Sequence, residues 1–268
     1  MNIETDSYLT GVVVIFLFVS LSALGAVATR RIKNISKLLA HHEVMGYFFP
    51  VSGSIYGVLL GLVVVNSIAV FNESSSTVNS EASDLISIYL LSNNTDTEAM
   101  DSIQNSCRNY ARSVIQYEWN AMDAGSHDPT SRGYALKLFD DIIKSSKKGD
   151  TISQKMLDVA DDMWQKRRER IDLASRQIPT IEWLSLCLGG ILIILLSYMF
   201  VMDSIKIQIL AVTSISTMIS LNLFLIICFG NPFSGDLRVS DEPFKNALNT
   251  FSQIDNYNKS QSIFPDTK

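Results

Sequence analysis

FFPVSGSIYGVLLGLVVVNSIAVF, residues Phe48–Phe71, contains no Asp, Glu, Lys, Arg or His in 24 positions. Crossing a hydrocarbon core of roughly 30 Å takes about 20 apolar helical residues, and a soluble core helix seldom stays uncharged on every face for that long. The segment therefore reads as a membrane span. Three other stretches share the property: Leu9–Ala28, Trp183–Met202 and Ile207–Phe229. The net charge of −5 and mean hydropathy of +0.19 average over this segregation, since nearly all charge lies between the four stretches.

The order of the segments defines an all-α membrane protein with four transmembrane helices in two hairpins and an inserted helical-bundle aqueous domain. The expected boundaries are residues 1–71 for the first hairpin, 72–181 for the aqueous domain, 182–229 for the second hairpin, and 230–268 for a turn, short amphipathic helix and tail. Met1–Tyr8 carries Glu4 and Asp6 but no basic residue, the wrong sign for a cleaved signal peptide, so the first span is read as retained. Arg30, Arg31, Lys33 and Lys37 follow it, which points to a cytoplasmic loop and an extracytoplasmic aqueous domain. Arg167, Arg168, Arg170 and Arg176, before the third span, pull the other way.

Within the insertion, Asn72–Leu91 continues the second span as a polar helix with Val78, Leu85 and Ile88 on one side. Thr95 with Glu98 forms a capping-box pattern ahead of a helix to about Asp123, whose apolar positions are Ile103, Cys107, Tyr110, Val114, Tyr117 and Ala121. After the loop Gly125–Pro129, a helix from Ser131 to Lys148 turns Ala135, Leu138, Phe139, Ile142 and Ile143 inward. Thr151 with Gln154 then suggests a second capping box, opening a long helix to Ile178 that breaks at Pro179. Glu73, Glu81, Asp84, Asp96, Glu98 and Asp101 lie in a stretch without Lys or Arg, whereas Lys137–Arg176 holds ten basic residues. Acidic and basic helices packed together explain this, and a charged vestibule built from Glu73, Glu81, Asp84, Arg167, Arg168 and Arg170 is the functional alternative.

Gly53, Gly57 and Gly61 recur every four residues and permit close approach of another backbone, within the subunit or between subunits. Ser54, Tyr56 and Asn66 are the polar candidates on the same span. Thr213, Ser216, Thr217 and Ser220 put four hydroxyls on one face of the fourth span, either bonded to their own helix or lining a path. No ionisable residue lies inside any span, which counts against coupled transport and is compatible with passive conduction. Cys107, Cys187 and Cys228 are too few for a disulfide framework. His41-His42-Glu43 lacks the second histidine of a zinc-protease motif, because residue 46 is Gly, and the remaining histidine is His127. No metal site, cofactor or enzymatic motif is expected, and no nucleic-acid partner. Ser240 caps a short helix presenting Phe244, Ala247, Leu248 and Phe251, and a polar tail beyond Gln253 is expected to be disordered.

Asn231-Pro232-Phe233-Ser234-Gly235-Asp236, with Arg238-Val239-Ser240 and Pro243-Phe244, carries a resemblance. The run Ser54–Gly61, Tyr110-Ala111-Arg112 leading to Glu118-Trp119, and the Arg-rich helix ending at Pro179 and Trp183 agree with it. Together these segments resemble the bacterial bestrophin-like membrane proteins, a family of unknown function. The resemblance implies four membrane helices per subunit, a large helical aqueous domain and a homo-oligomer around a central conduit in a bacterial inner membrane. Bestrophins are anion channels with aromatic-rich constrictions in the second span and the large domain in the cytoplasm. This chain has only Phe48, Phe49, Tyr56 and Phe71 there, so pore location, ion sign and sidedness do not carry over. The leading expectation is a channel-like passive ion conduit in the bilayer; the rival is a non-conducting scaffold or sensor, and a small-substrate transporter is third.

Overall fold

The computed structural model describes residues 8–32, 42–123, 126, 128–146, 150–176, 178–200, 202 and 204–263, and the side chains of 32, 42–45 and 261–263 are not among those described. Lys33, Lys37, His41, the side chains of His42 and Glu43, Gly125, His127, Lys148 and Gly149 therefore lie outside the described residues. The helices are α1 (Tyr8–Ile32), α2 (His42–Ser92), α3 (Thr97–Ser113), a π-helical turn (Val114–Glu118), α4 (Trp119–Asp123), α5 (Thr130–Ser145), α6 (Thr151–Ser175), α7 (Thr180–Met199), α8 (Ile205–Gly230) and α9 (Glu242–Ile263). Four of them are long and apolar enough to cross a membrane. The chain divides into two compact units, one of Met1–Phe71, Gln177–Asn231 and Gly235–Leu237, the other of Asn72–Arg176, Pro232–Ser234 and Arg238–Lys268.

The first unit is a four-helix assembly of α1, the first half of α2, α7 and α8. Its core joins Tyr56, Leu60, Leu186, Ile193, Ile219 and Ile226. Glycines set the closest approaches: an added Cβ on Gly11 would strike the Phe224 ring, and one on Gly25 would strike Tyr198. Gly189 and Gly190 of α7 lie under the ring of Tyr56, whose hydroxyl donates to Leu186 O at 3.1 Å. The Tyr198 hydroxyl similarly donates to Ser22 O at 2.9 Å, tying α7 to α1. Outside the helices, Gly235 adopts φ 78°, which a residue without Cβ reaches freely, and the neighbouring Asp236 carboxylate accepts the Tyr8 N–H at 2.8 Å.

The second unit packs α3, α5, α6 and α9 around the polar half of α2, over a core that includes Leu85, Ile88, Ile103, Leu138, Met163 and Phe251. The continuation of the second span into this helix is as expected; the caps are not. Asp96 stands at the N-cap of α3, and the Thr95 hydroxyl donates to Ser92 O instead of capping. Asp150, one residue before the expected Thr151, caps α6 by accepting from Ile152 N at 3.0 Å, while Gln154 donates along its own helix to Asp158. Helix α5 ends at Ser145 and leaves Ile143 exposed, and α6 ends at Ser175 before Ile178. The C-terminal helix is longer than expected, running to Ile263, with Phe244, Ala247 and Phe251 buried and Tyr89 stacked on Phe251 at 4.2 Å.

The expected inward face of the helix after Thr97 holds as far as Val114 and then slips by one residue. Tyr117 is exposed, and Glu118, Trp119 and Met122 are buried where Tyr117 and Ala121 were expected. The cause is the π turn, in which Trp119 N–H reaches back to Val114 O, inserting one extra residue into the helical period.

Candidate functional site

Two arrangements carry the charged and polar chemistry. The first is a closed ion network inside the second unit. Arg170, fully buried, donates through Nε to Glu81 at 2.7 Å and through Nη2 to Glu81 and Glu118 at 3.1 and 2.7 Å. Glu118 also accepts from Arg167, and the Tyr110 hydroxyl donates to Glu81. Trp119 and Phe244 lie 5.6 and 5.8 Å from the Arg170 guanidinium carbon, over their ring faces. Two carboxylates and two guanidinium groups balance one another. Burial works against the Arg170 charge, yet Glu81 and Glu118 hold its pKa well above the ordinary arginine value. Burial, with Glu81 beside it, likewise raises Tyr110 well above the usual phenol range and keeps it a neutral donor.

Of the vestibule candidates, Glu81, Arg167 and Arg170 are buried in the core and paired there, together with Glu118. Glu73 and Arg168 are exposed. Asp84 is half-buried, and its pKa is raised to about 6 by burial and by Asp162 and Glu81, against the opposing Lys166.

The second arrangement is the exposed face of α2. Val51, Ser54, Val58, Leu62, Val65, Ala69, Asn72, Glu73, Ser76, Asn79, Ser83 and Leu90 are all exposed. In the second unit these positions fall within roughly a third of the helix circumference at 3.6 residues per turn, whereas in the first unit Ile55, Gly57, Leu59 and Asn66 are exposed as well and the exposed surface covers more than half of it. Of the lining candidates on this span, Ser54 and Asn66 are exposed, and Tyr56 is buried in the four-helix core. Adding a Cβ to Gly53, Gly57 or Gly61 would meet nothing within 4 Å among the described residues, so close intrachain packing is not seen at these three there. That role belongs to Gly189 and Gly190, overlooked in the sequence because adjacent glycines in an apolar run show no period.

The hydroxyl stripe of α8 is resolved differently. Ser216 and Ser220 are buried within the unit, and Thr213 and Thr217 are half-buried. All four donate to carbonyls three or four residues earlier on α8, between 2.7 and 3.2 Å, so their donors are satisfied on their own helix. Among the described residues, no group of three or more His, Cys, Asp or Glu is arranged to hold a metal ion.

A bestrophin-like domain model matches residues 16–244. Among solved structures, the chain is similar to a bacterial bestrophin homologue from Klebsiella pneumoniae, determined as two single-substitution variants. The TM-scores are 0.69 and 0.67 at 16% and 17% identity, covering 89% of this chain and 96% and 98% of those chains. At that identity the likeness is one of fold. A comparison with curated proteins finds no match. With four membrane-length helices and a family model spanning most of its length, the chain is a multi-pass membrane protein that belongs to the bestrophin-like family.

Proposed function

We propose that the chain forms a homo-oligomeric passive ion conduit in a bacterial inner membrane, with the exposed face of α2 turned toward the symmetry axis. The contrast between glycines carries the proposal. Gly11, Gly25, Gly189, Gly190 and Gly230 are each approached by a side chain of the same subunit, whereas Gly53, Gly57 and Gly61, like Gly46 at the start of α2 and Gly133 in α5, meet nothing within 4 Å among the described residues. A mid-helix glycine costs about 1 kcal/mol relative to alanine, so three unoccupied ones on one helix imply a close neighbour from another copy. In the first unit the exposed face of α2 is apolar with Ser54 and Asn66; in the second it becomes amides, hydroxyls and Glu73. Asp84 and Arg168, the remaining charges of the expected vestibule, are proposed to modulate the field and not to line the path. Following Arg30 and Arg31, the helical unit is placed on the extracytoplasmic side.

Single-channel recording from purified oligomer in planar bilayers tests the proposal. Discrete conductance is expected, reduced by Val58→Trp and unchanged by Thr213→Val or Thr217→Val. Consistent absence of current would favour the non-conducting scaffold instead.

A further inference from the structure

We infer that the end of the membrane unit where α1 stops and α8 begins is a binding site for an anionic phospholipid whose headgroup carries a hydroxyl. The inference does not depend on conduction. Gln208, one turn into α8, is 2% exposed, and neither its amide nitrogen nor its amide oxygen has a hydrogen-bond partner among the described residues. The hydroxyls further along the same helix, by contrast, are satisfied on α8 carbonyls. A buried amide without partners is costly, and it marks a place where another group binds. Gly11 lies under the Phe224 ring and Arg30 donates to Met202 O, so α1 and α8 run antiparallel. Counting equal lengths from the first contact puts Gln208 level with Val27, one turn short of Arg30. A helical side chain leans over the turn before its own Cα, which directs Gln208 toward the head of α8.

The surroundings of that amide suit a phosphate. Ser204, the N-cap residue, makes no side-chain cap bond, and its carbonyl accepts from Gln208 N–H at 3.1 Å. A helix start of this kind presents first-turn N–H groups and the positive end of the helix dipole at the membrane edge. Lys206 and Arg31 are exposed at the same end, and Arg30 is half-buried there. In the sequence of the two turns at this end, Arg30, Arg31, Lys33, Lys37 and Lys206 outnumber Asp203 and Glu43. These groups stand where two apolar spans stop, the depth at which lipid phosphates lie. In the complex, Lys206, Arg31 and the α8 N–H groups hold the phosphate. Gln208 turns to donate through Nε2 to a phosphate oxygen and accepts at Oε1 from a headgroup hydroxyl, which satisfies both atoms. A basic collar that only follows membrane orientation accounts for Arg31 and Lys206 but leaves the enclosed amide unexplained.

Thermal unfolding of the purified protein in neutral detergent tests the inference, with short-chain dioctanoyl lipids as probes. Phosphatidylglycerol is expected to raise the melting temperature by several degrees, because a ligand that binds only the folded state stabilises it. Phosphatidylcholine is expected to leave it unchanged, and phosphatidic acid, which lacks the headgroup glycerol, to shift it less. Gln208→Leu is expected to reduce the phosphatidylglycerol shift several-fold, whereas Arg132→Gln, which removes an exposed charge on α5, leaves it intact. Should Gln208→Leu fail to fold, the double variant Arg31→Gln with Lys206→Gln alters exposed positions alone: a reduced shift supports the site and an unchanged shift refutes it. An equal shift from phosphatidylcholine, or an unchanged shift in Gln208→Leu, would overturn the inference. An equal shift from phosphatidic acid would overturn the hydroxyl requirement. An equal shift from inorganic phosphate would assign the site to the free ion and overturn the lipid.

Discussion

Arg170 and Asp84 both belong to the second unit but meet opposite electrostatic surroundings. Arg170 is fully enclosed, with every polar contact made to Glu81, Glu118 or the Met122 sulfur. Replacing it by Met leaves Glu81 buried without a cationic partner and Glu118 with Arg167 alone, and a loss of about 3–5 kcal/mol is expected, read as an early unfolding transition in denaturant. Asp84 behaves oppositely. Its folded pKa of about 6 exceeds the ordinary aspartate value of 3.8, so the folded state binds the proton more tightly. Its contribution to stability is present below pH 3.8 and is lost as pH rises through 6. Asp84→Asn should therefore stabilise the protein above pH 6 by on the order of 1 kcal/mol, after discounting the exposed part of the side chain for solvent screening. Melting curves at two pH values check this, with the difference from wild type expected to vanish near pH 4. Neither role was legible locally: an Arg-rich helix reads as a solvated face, and the Glu81–Arg170 pair spans 89 residues of sequence.

At the scale of elements, the spans were legible because an uncharged run of about 20 residues has few alternatives. The register of α3 was legible only to Val114, since a π turn leaves no mark in hydrophobic period until it has shifted it. Because the turn adds one residue, deleting exposed Tyr117 should relax it to a regular helix and keep Glu118, Trp119 and Met122 facing inward. The deletion is expected to fold with near wild-type helicity and melting temperature, measured by circular dichroism. Glycine substitutions separate the two packing roles. Gly189→Ala places a Cβ 2.6 Å from the Tyr56 ring and should destabilise by about 1–3 kcal/mol. Gly57→Ala meets nothing within the subunit, so its effect should appear in oligomer dissociation and not in the unfolding of the monomer. The glycine period was visible in the sequence; which surface it served was not, because a spacing names a face and not its occupant.

For the whole molecule, family and helix content agree with what the chain's motifs implied, while function rests on assembly. The same four helices serve a scaffold if α2 faces lipid, and a conduit if α2 faces itself. On the proposal that Arg30 and Arg31, in the last turn of α1, face the cytoplasm, a reporter inserted near Ser126 is expected to read as extracytoplasmic; a cytoplasmic signal would reverse the orientation without touching the fold. The central claim concerns α2. A density map of the assembled protein in lipid nanodiscs tests it most directly. Val58, Leu62 and Val65 are expected to face the symmetry axis, with Gly53, Gly57 and Gly61 close to another copy. A map with α2 turned to lipid, or a particle with a single subunit, would contradict the account.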